Sequence, residues 1–332
     1  MRSLILLAAI FAAVSAIERS NVPEPRGWYV PTRDGKFEWV SREQYENSSA
    51  PMEMRKSAEV KFYLYTKSNP SSPKQLYLND RGTLSSSSFR GSLPTRVIIH
   101  GWENDFKSAV NTDIRSAFLN TGSYNVISVD WSDKSVSLNY AGSRNAVPDV
   151  GRQVANFLDF LSTQGGMSFN RLTVIGHSLG AHVAGFAGKQ VTRGKVNTII
   201  GLDPAYPLFS YSDCSKRLCS SDATYVESIQ TSGSLLGFLE PIGRAAFYPN
   251  GGKSQPGCGV DVTGSCAHSR SYQYFAEAVQ RNSFRSIGCP DYNAAVKNKC
   301  GNSFSNVRMG TGYGNSGVFY VPINKKAPYG TA

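Results

Sequence analysis

The sequence predicts an α/β protein: a mostly parallel central sheet covered by helices on both faces. Short β-branched apolar runs recur after about residue 56, and stretches with helical apolar spacing separate them. Several of those runs are apolar without strict alternation, which suits strands buried on both faces. Runs of strand type alternating with helices are the pattern of parallel crossover units.

In chain order, Val60, Phe62 and Leu64 alternate with Lys61, Tyr63 and Tyr65, which marks a strand. Thr95 to His100 (TRVIIH) is a second strand that stops at Gly101, and Asn125 to Trp131 (NVISVDW) is a third. Val150, Val154, Phe157, Leu158 and Leu161 fall at helical spacing and predict an amphipathic helix over 148–162. Arg171 to His177 is again a strand, and Leu179, Val183, Phe186 and Ala187 mark the helix that follows. Val196 to Asp203 (VNTIIGLD) closes the series. Beyond it the chain is richer in loops, Gly and Cys, with one strand-like stretch at Thr224 to Gln230. No internal repeat or low-complexity linker divides residues 56–332, so one domain is expected there.

The N-terminus reads differently. Arg2 precedes an apolar run from Leu4 to Val14 that ends in small residues, Val14-Ser15-Ala16. The run is too short to span a bilayer, so residues 1–16 are expected to be a cleaved secretory signal and not an anchor. Residues 17–55, rich in Pro, Ser and charge, are expected to be a pro-segment or a loose N-terminal arm. Export makes Asn47-Ser48-Ser49 a usable glycosylation sequon at Asn47.

Export also governs the cysteines. All six lie beyond residue 210: Cys214, Cys219, Cys258, Cys266, Cys289 and Cys300. An even count in an oxidising compartment implies disulfides; of the 15 pairings possible, the close spacing favours neighbours. A metal site is the poorer reading, because no C-x-x-C and no histidine pair at ligand spacing accompanies them. The net charge of +11 could draw the chain to an anionic lipid surface or to nucleic acid. No Lys/Arg run exceeds two residues, so no nucleic-acid partner is expected.

The sharpest local signal is Gly176-His177-Ser178-Leu179-Gly180, placed between an expected strand and an expected helix. That setting makes the G-x-S-x-G stretch a nucleophile elbow, with glycines where a tight turn excludes side chains. A serine hydroxyl needs a base, and the base an orienting acid; in this architecture they follow in the order Ser, Asp or Glu, His. Of four histidines, His100 precedes the serine, His177 adjoins it on a turn expected to point it elsewhere, and His182 lies one helical turn along. His268 alone lies well downstream and is the base. Asp203 ends an apolar strand before Pro204, where open α/β sheets place their chemistry, and is the acid. Asp130 also ends a strand but precedes the serine, so a structural hydrogen bond suits it better. The oxyanion needs two main-chain N–H donors: Leu179, after the nucleophile, and Trp102, after His100-Gly101. The Trp102 ring is free to pack while its N–H serves.

With these residues in place, the sequence resembles the pancreatic lipase family. The matching stretches are VKFYLYT (60–66), RVIIHGW (96–102), NVISVDW (125–131), LTVIGHSLGAHVAGFAG (172–188), IIGLDPAYPLF (199–209) and CAHSRSY (266–272). The resemblance implies an α/β-hydrolase fold, the triad Ser178, Asp203 and His268, and oxyanion donors at Trp102 and Leu179. Vertebrate members carry a C-terminal β-sandwich that docks a colipase; this chain ends too early to hold one, so neither is expected. Where the family has a calcium loop, this chain has SYSDCSKRLCSSD (210–222). Arg217 and Asp222 fit, but Cys214 and Cys219 stand in place of carboxylate ligands, so a disulfide is expected instead of the metal and no cofactor is needed.

In triacylglycerol lipases a long disulfide-closed lid precedes the histidine. Here Cys258 and Cys266 enclose only GVDVTGS, too small and polar to cover an apolar cleft, and the loop from Ser232 to Phe247 is also short. Both reductions resemble the insect and venom phospholipases A1. The resemblance implies a secreted lipid ester hydrolase acting at a membrane, micelle or emulsion surface. It favours sn-1 esters of phospholipids or galactolipids, with triacylglycerol second and the gut lumen as one compartment. A non-catalytic, yolk-type lipid-binding protein on the same fold is the rival reading, opposed by the presence of all three triad residues.

Overall fold

The computed structural model describes residues 24–47, 59–136, 139–310 and 314–331. The expected signal segment, 1–16, lies outside the described residues. In chain order the strands are β1 (Gly27–Pro31), β2 (Phe37–Ser41), β3 (Lys61–Tyr65), β4 (Lys74–Leu76), β5 (Thr95–Ile99), β6 (Asn125–Asp130), β7 (Leu172–His177), β8 (Thr198–Leu202), β9 (Tyr225–Ile229), β10 (Ala245–Pro249), β11 (Ile287–Cys289) and β12 (Gly317–Val321). The helices are α1 (Arg42–Asn47), α2 (Arg81–Ser85), α3 (Ala109–Thr121), α4 (Ser132–Ser135), α5 (Tyr140–Gly165), α6 (Leu179–Gln190), α7 (Ser265–Arg281) and α8 (Tyr292–Val296).

Ten strands form one sheet in the order β11-β12-β10-β9-β8-β7-β5-β6-β3-β4. The seven from β12 to β6 run parallel, while β11, β3 and β4 add antiparallel edges. Side chains alternate between the two faces, as strand geometry requires. Val97, Ile99, Val174 and Ile199 join α5 and α6 in one core; Ile98, Ile175 and Ile200 join α3 and α7 in the other. A fully buried Leu, Ile or Val contributes about 1.5–3 kcal/mol, so these two layers hold the sheet. This is the α/β-hydrolase arrangement expected from the sequence, and the described residues form no β-sandwich beyond it.

The helix expected over 148–162 is longer, Tyr140–Gly165. Its true start is capped by Asn139, whose side chain accepts from Gly142 N at 2.9 Å. Pro148 lies inside it, at the cost of one main-chain bond. Val147, Val150 and Val154 hold that turn in the core. Three strands of the C-terminal part (β10, β11 and β12) also go beyond the strands expected from the sequence.

Residues 24–47, inside the segment the sequence marks as an arm or pro-segment, form the β1–β2 hairpin followed by α1. Asp34-Gly35 makes the turn, with Gly35 at φ 76°. The inner face docks on the body: Trp28 and Val30 are buried, and Trp28 Nε1 donates to Phe209 O at 3.2 Å. Asn47, the sequon residue, ends α1 and is exposed.

Candidate active site

Ser178 sits between β7 and α6 at φ 57°, ψ −124°, a conformation that L-residues adopt only under strain. The glycines around it are required by close approach. A Cβ on Gly176 would lie 2.1 Å from Gly180 O, and one on Gly180 would lie 2.3 Å from Ile99 O. The serine N–H donates to Leu202 O at 3.0 Å, which fixes the elbow against β8.

Asp203 follows β8 and is fully buried, also at positive φ (42°). Its two oxygens have different partners. Oδ1 accepts from Thr231 N at 2.6 Å and Ser232 N at 3.0 Å; Oδ2 accepts from Ser232 Oγ and, at 2.6 Å, from His268 Nδ1. Gly237 faces the carboxylate, and a Cβ there would come within 2.4 Å of it. Four donors are thus aimed at this one carboxylate.

His268 lies in the first turn of α7, where Asp261 caps the helix by accepting from Ala267 N at 2.7 Å. Its ring faces Asp203 on one side and shares a cleft with Ser178 on the other. His177, expected to turn away, instead packs against that ring, with centroids 4.4 Å apart and Nε2 3.2 Å from His268 O. Burial, and then the neighbouring His268, push His177 well below the usual imidazole range, so it stays neutral. The remaining histidines are structural. His182 bridges Ala205 O (2.7 Å) and Leu218 N (3.0 Å), and burial lowers its pKa to about 3. His100 Nε2 accepts from Trp131 N at 3.2 Å. Asp130 accepts from Ser132 N at 3.0 Å and lies 3.6 Å from His100, in the structural role the sequence suggested.

The loop after β5 brings Gly101 against Ser178: a Cβ on it would be 2.8 Å from Ser178 Cβ and 3.3 Å from Oγ. Trp102 follows, its ring edge-on to Tyr140 at 5.5 Å, and both line the cleft. Leu179 opens α6, so its N–H belongs to the first helical turn, where no intrahelical acceptor exists.

The cleft has about 220 Å³ of free volume above Ser178 and His268. One wall is Leu236 with Thr263 and Ser265. The tip of the hairpin, from Pro31 to Phe37, forms another part of the wall. Sequence reasoning missed this wall. Its signal was present: short apolar and aromatic runs, WYVP (28–31) and FEWV (37–40), on each side of Asp34-Gly35.

A family model described as Lipase matches residues 33–326. The chain belongs to the lipase family. Over 287 residues the lipase is 37% identical to a protein named probable phospholipase A1 magnifin from Vespa magnifica, covering 82% of this chain and 85% of that one. Phospholipase A1 from Vespa crabro is 36% identical over 254 residues, 71% of this chain and 83% of the relative. Pancreatic triacylglycerol lipase from Myocastor coypus is 36% identical over 264 residues, 73% of this chain and 57% of that protein. The chain is thus a carboxylic ester hydrolase of the lipase and phospholipase A1 kind.

The lipase has three disulfides, all between neighbours: Cys214–Cys219, Cys258–Cys266 and Cys289–Cys300. The first closes the loop that resembles a calcium loop. There Arg217 donates to Ser210 O at 3.0 Å and to Leu218 O at 2.7 Å, sewing the loop to itself. Lys189, from α6, donates to Asp222 and, at 2.9 Å, to Arg217 O. Burial pushes the Asp222 carboxyl up while Lys189 pulls it down, so a lysine ammonium already supplies the positive charge. Among the described residues, the one cluster with metal-ligand spacing is Cys258, Asp261 and Cys266, and both of its sulfurs are in a disulfide.

Proposed function

We propose that this lipase is a secreted phospholipase A1-type enzyme that cleaves sn-1 esters of phospholipids or galactolipids through an acyl-enzyme. The observation that carries the mechanism is the buried Asp203–His268 hydrogen bond of 2.6 Å, placed beside a strained Ser178 in one cleft. Ser178 Oγ attacks the ester carbonyl and its proton passes to His268 Nε2. Asp203 holds Nδ1–H and stabilises the imidazolium without taking the proton. The N–H groups of Trp102 and Leu179 receive the developing oxyanion. The imidazolium then protonates the leaving alcohol, and water, activated by the same histidine, releases the fatty acid.

Substrate choice follows from what borders the cleft. The disulfide loop from Cys258 to Cys266 is short and contributes Thr263 and Ser265, not an apolar cover. Arg33 and Lys36 also line the cleft, paired with Glu103 and Asp34. The hydroxyls of Thr263 and Ser265 suit a phosphate or sugar headgroup better than the uncharged glycerol esters of triacylglycerol. The relatives named phospholipase A1 support the same choice, and the relative named triacylglycerol lipase supplies the alternative. Secretion is supported by the apolar N-terminal run and by the three disulfides. No metal, cofactor, colipase or nucleic acid enters the proposal; its partner is a lipid surface.

The test is a panel of phospholipid, galactolipid and triglyceride, with the position of the released chain determined, run on the wild type and on Ser178→Ala. Release from the sn-1 position of polar lipids, abolished in the variant, is expected. Preferential triglyceride cleavage would replace the substrate reading, and wild-type turnover by Ser178→Ala would overturn the mechanism.

A further inference from the structure

The hairpin does more than close one side of the cleft. Its inner face, with Trp28 and Val30, is buried against the body, so its outer face should be polar. Instead the outer positions are Tyr29, Pro31, Phe37 and Trp39, paired across the strands as Tyr29 with Trp39 and Pro31 with Phe37. Tyr29 is 59% exposed and Trp39 52% exposed, and their rings meet edge-on at 5.1 Å. Pro31 and Phe37, at the other end of this stripe, are wall residues of the catalytic cleft. The aromatic face therefore runs without interruption from solvent to the mouth above Ser178.

The opposite rim matches it. Val260 and Val262, on the disulfide loop whose Thr263 lines the cleft, are 91% and 79% exposed. The hairpin is held in place at both ends. Arg33 at the tip donates to Val136 O and pairs with Glu103 at 3.6 Å, beside Trp102. Near its foot, Tyr45 Oη donates to Asn145 Oδ1 at 2.8 Å.

We propose that the Tyr29–Trp39 face of the hairpin is the surface on which the enzyme sits on aggregated lipid, with the opposite rim completed by Val260 and Val262. This rests on the ester-hydrolase reading above and deepens it. A lipid surface is the occupant the chemistry selects. Tyr and Trp have apolar bodies with one polar group, which suits the boundary between headgroups and acyl chains. The stripe is continuous with the cleft that an acyl chain must enter. The net charge of +11 favours an anionic surface. Residues 24–47 are then part of the working enzyme, not a discarded pro-segment.

The experiment separates binding from chemistry. Full-length Ser178→Ala protein, with and without Tyr29→Ser and Trp39→Ser, is sedimented with vesicles of equal phosphatidylcholine and phosphatidylglycerol. In the catalytically intact chain, the same two substitutions are assayed on a monomeric short-chain ester. Partitioning is expected to fall about tenfold or more, from the apolar area lost. Turnover of the soluble ester is expected to be unchanged, which also shows that the variant folds. As a second reading, Trp39 fluorescence, taken as the difference from Trp39→Phe, should shift to the blue on vesicle addition. Unchanged partitioning, an unshifted Trp39, self-association through this face in place of vesicle binding, or an active form whose mass lacks residues 24–47 would each overturn the proposal. If the wild type cleaves no ester while partitioning still depends on Tyr29 and Trp39, the catalytic reading fails and the docking surface stands.

Discussion

Asp203→Asn changes one atom, and the structure says where the damage falls. Oδ1 faces two main-chain N–H groups, Thr231 at 2.6 Å and Ser232 at 3.0 Å, which cannot reorient. The asparagine must therefore place its carbonyl oxygen there and its NH₂ where Oδ2 now meets Ser232 Oγ and His268 Nδ1. An NH₂ is a donor only, so Nδ1 has to become the acceptor and the ring proton moves to Nε2. That tautomer cannot take the proton of Ser178. The loss is expected to be on the order of 10,000-fold in kcat, about 5 kcal/mol of barrier, with the fold retained and KM little changed. The assay is steady-state hydrolysis of a soluble short-chain ester, with circular dichroism as a check on folding. A loss below about tenfold would show that the carboxylate does not set the histidine tautomer, and the reasoning would fall.

Other consequences follow from the same geometry. Gly101→Ala puts a methyl 2.8 Å from Ser178 Cβ. It should lower kcat about 100-fold by moving the oxyanion loop, and a wild-type kcat would show that this loop does not serve the reaction. Glu227 is buried with its carboxyl accepting from Gly310 N at 2.7 Å and Tyr225 Oη at 3.0 Å, and burial raises its pKa to about 7. Because the folded state holds that proton more tightly than the unfolded one, stability is greatest below about pH 4.5 for this group. It is lost as pH rises toward 7, by about 3 kcal/mol. Glu227→Gln should flatten that part of the stability profile measured by urea unfolding between pH 4.5 and 7.5; an unchanged slope would contradict the assignment. Lys189→Met should leave Asp222 buried without its cation and cost about 3 kcal/mol in urea unfolding. Wild-type activity should be indifferent to a strong chelator, and loss of activity on chelation would show that a metal, not Lys189, serves this loop.

How much of this was legible beforehand depends on how local each cause is. The parallel sheet and the elbow were readable because their signals are contiguous: β-branched runs, and two glycines flanking a serine at a strand end. Chain order singled out Asp203 and His268, and the structure brings the two together. The longer α5 was hidden because its start depends on the Asn139 cap and its interior contains Pro148, which locally argues for a boundary. Strand β10 (AAFYP) reads as nothing in particular; it becomes a strand because β9 and β12 lie on each side of it. The role of His177 was invisible, since adjacency in sequence says nothing about a ring from α7 packing onto it. The cleft wall from Pro31 to Phe37 was hidden for the same reason. Its turn was written in the sequence, but where the hairpin docks is set by Trp28 and Phe209, separated by 181 positions in the chain.

Every step of the proposed mechanism depends on Ser178 being the group that forms the acyl-enzyme. Incubating the intact protein with a phosphonofluoridate ester and mapping the adduct by peptide mass spectrometry addresses that directly. A stoichiometric adduct on Ser178, strongly slowed in His268→Ala, is the outcome the structure calls for. No adduct, or one on a different residue, would contradict it.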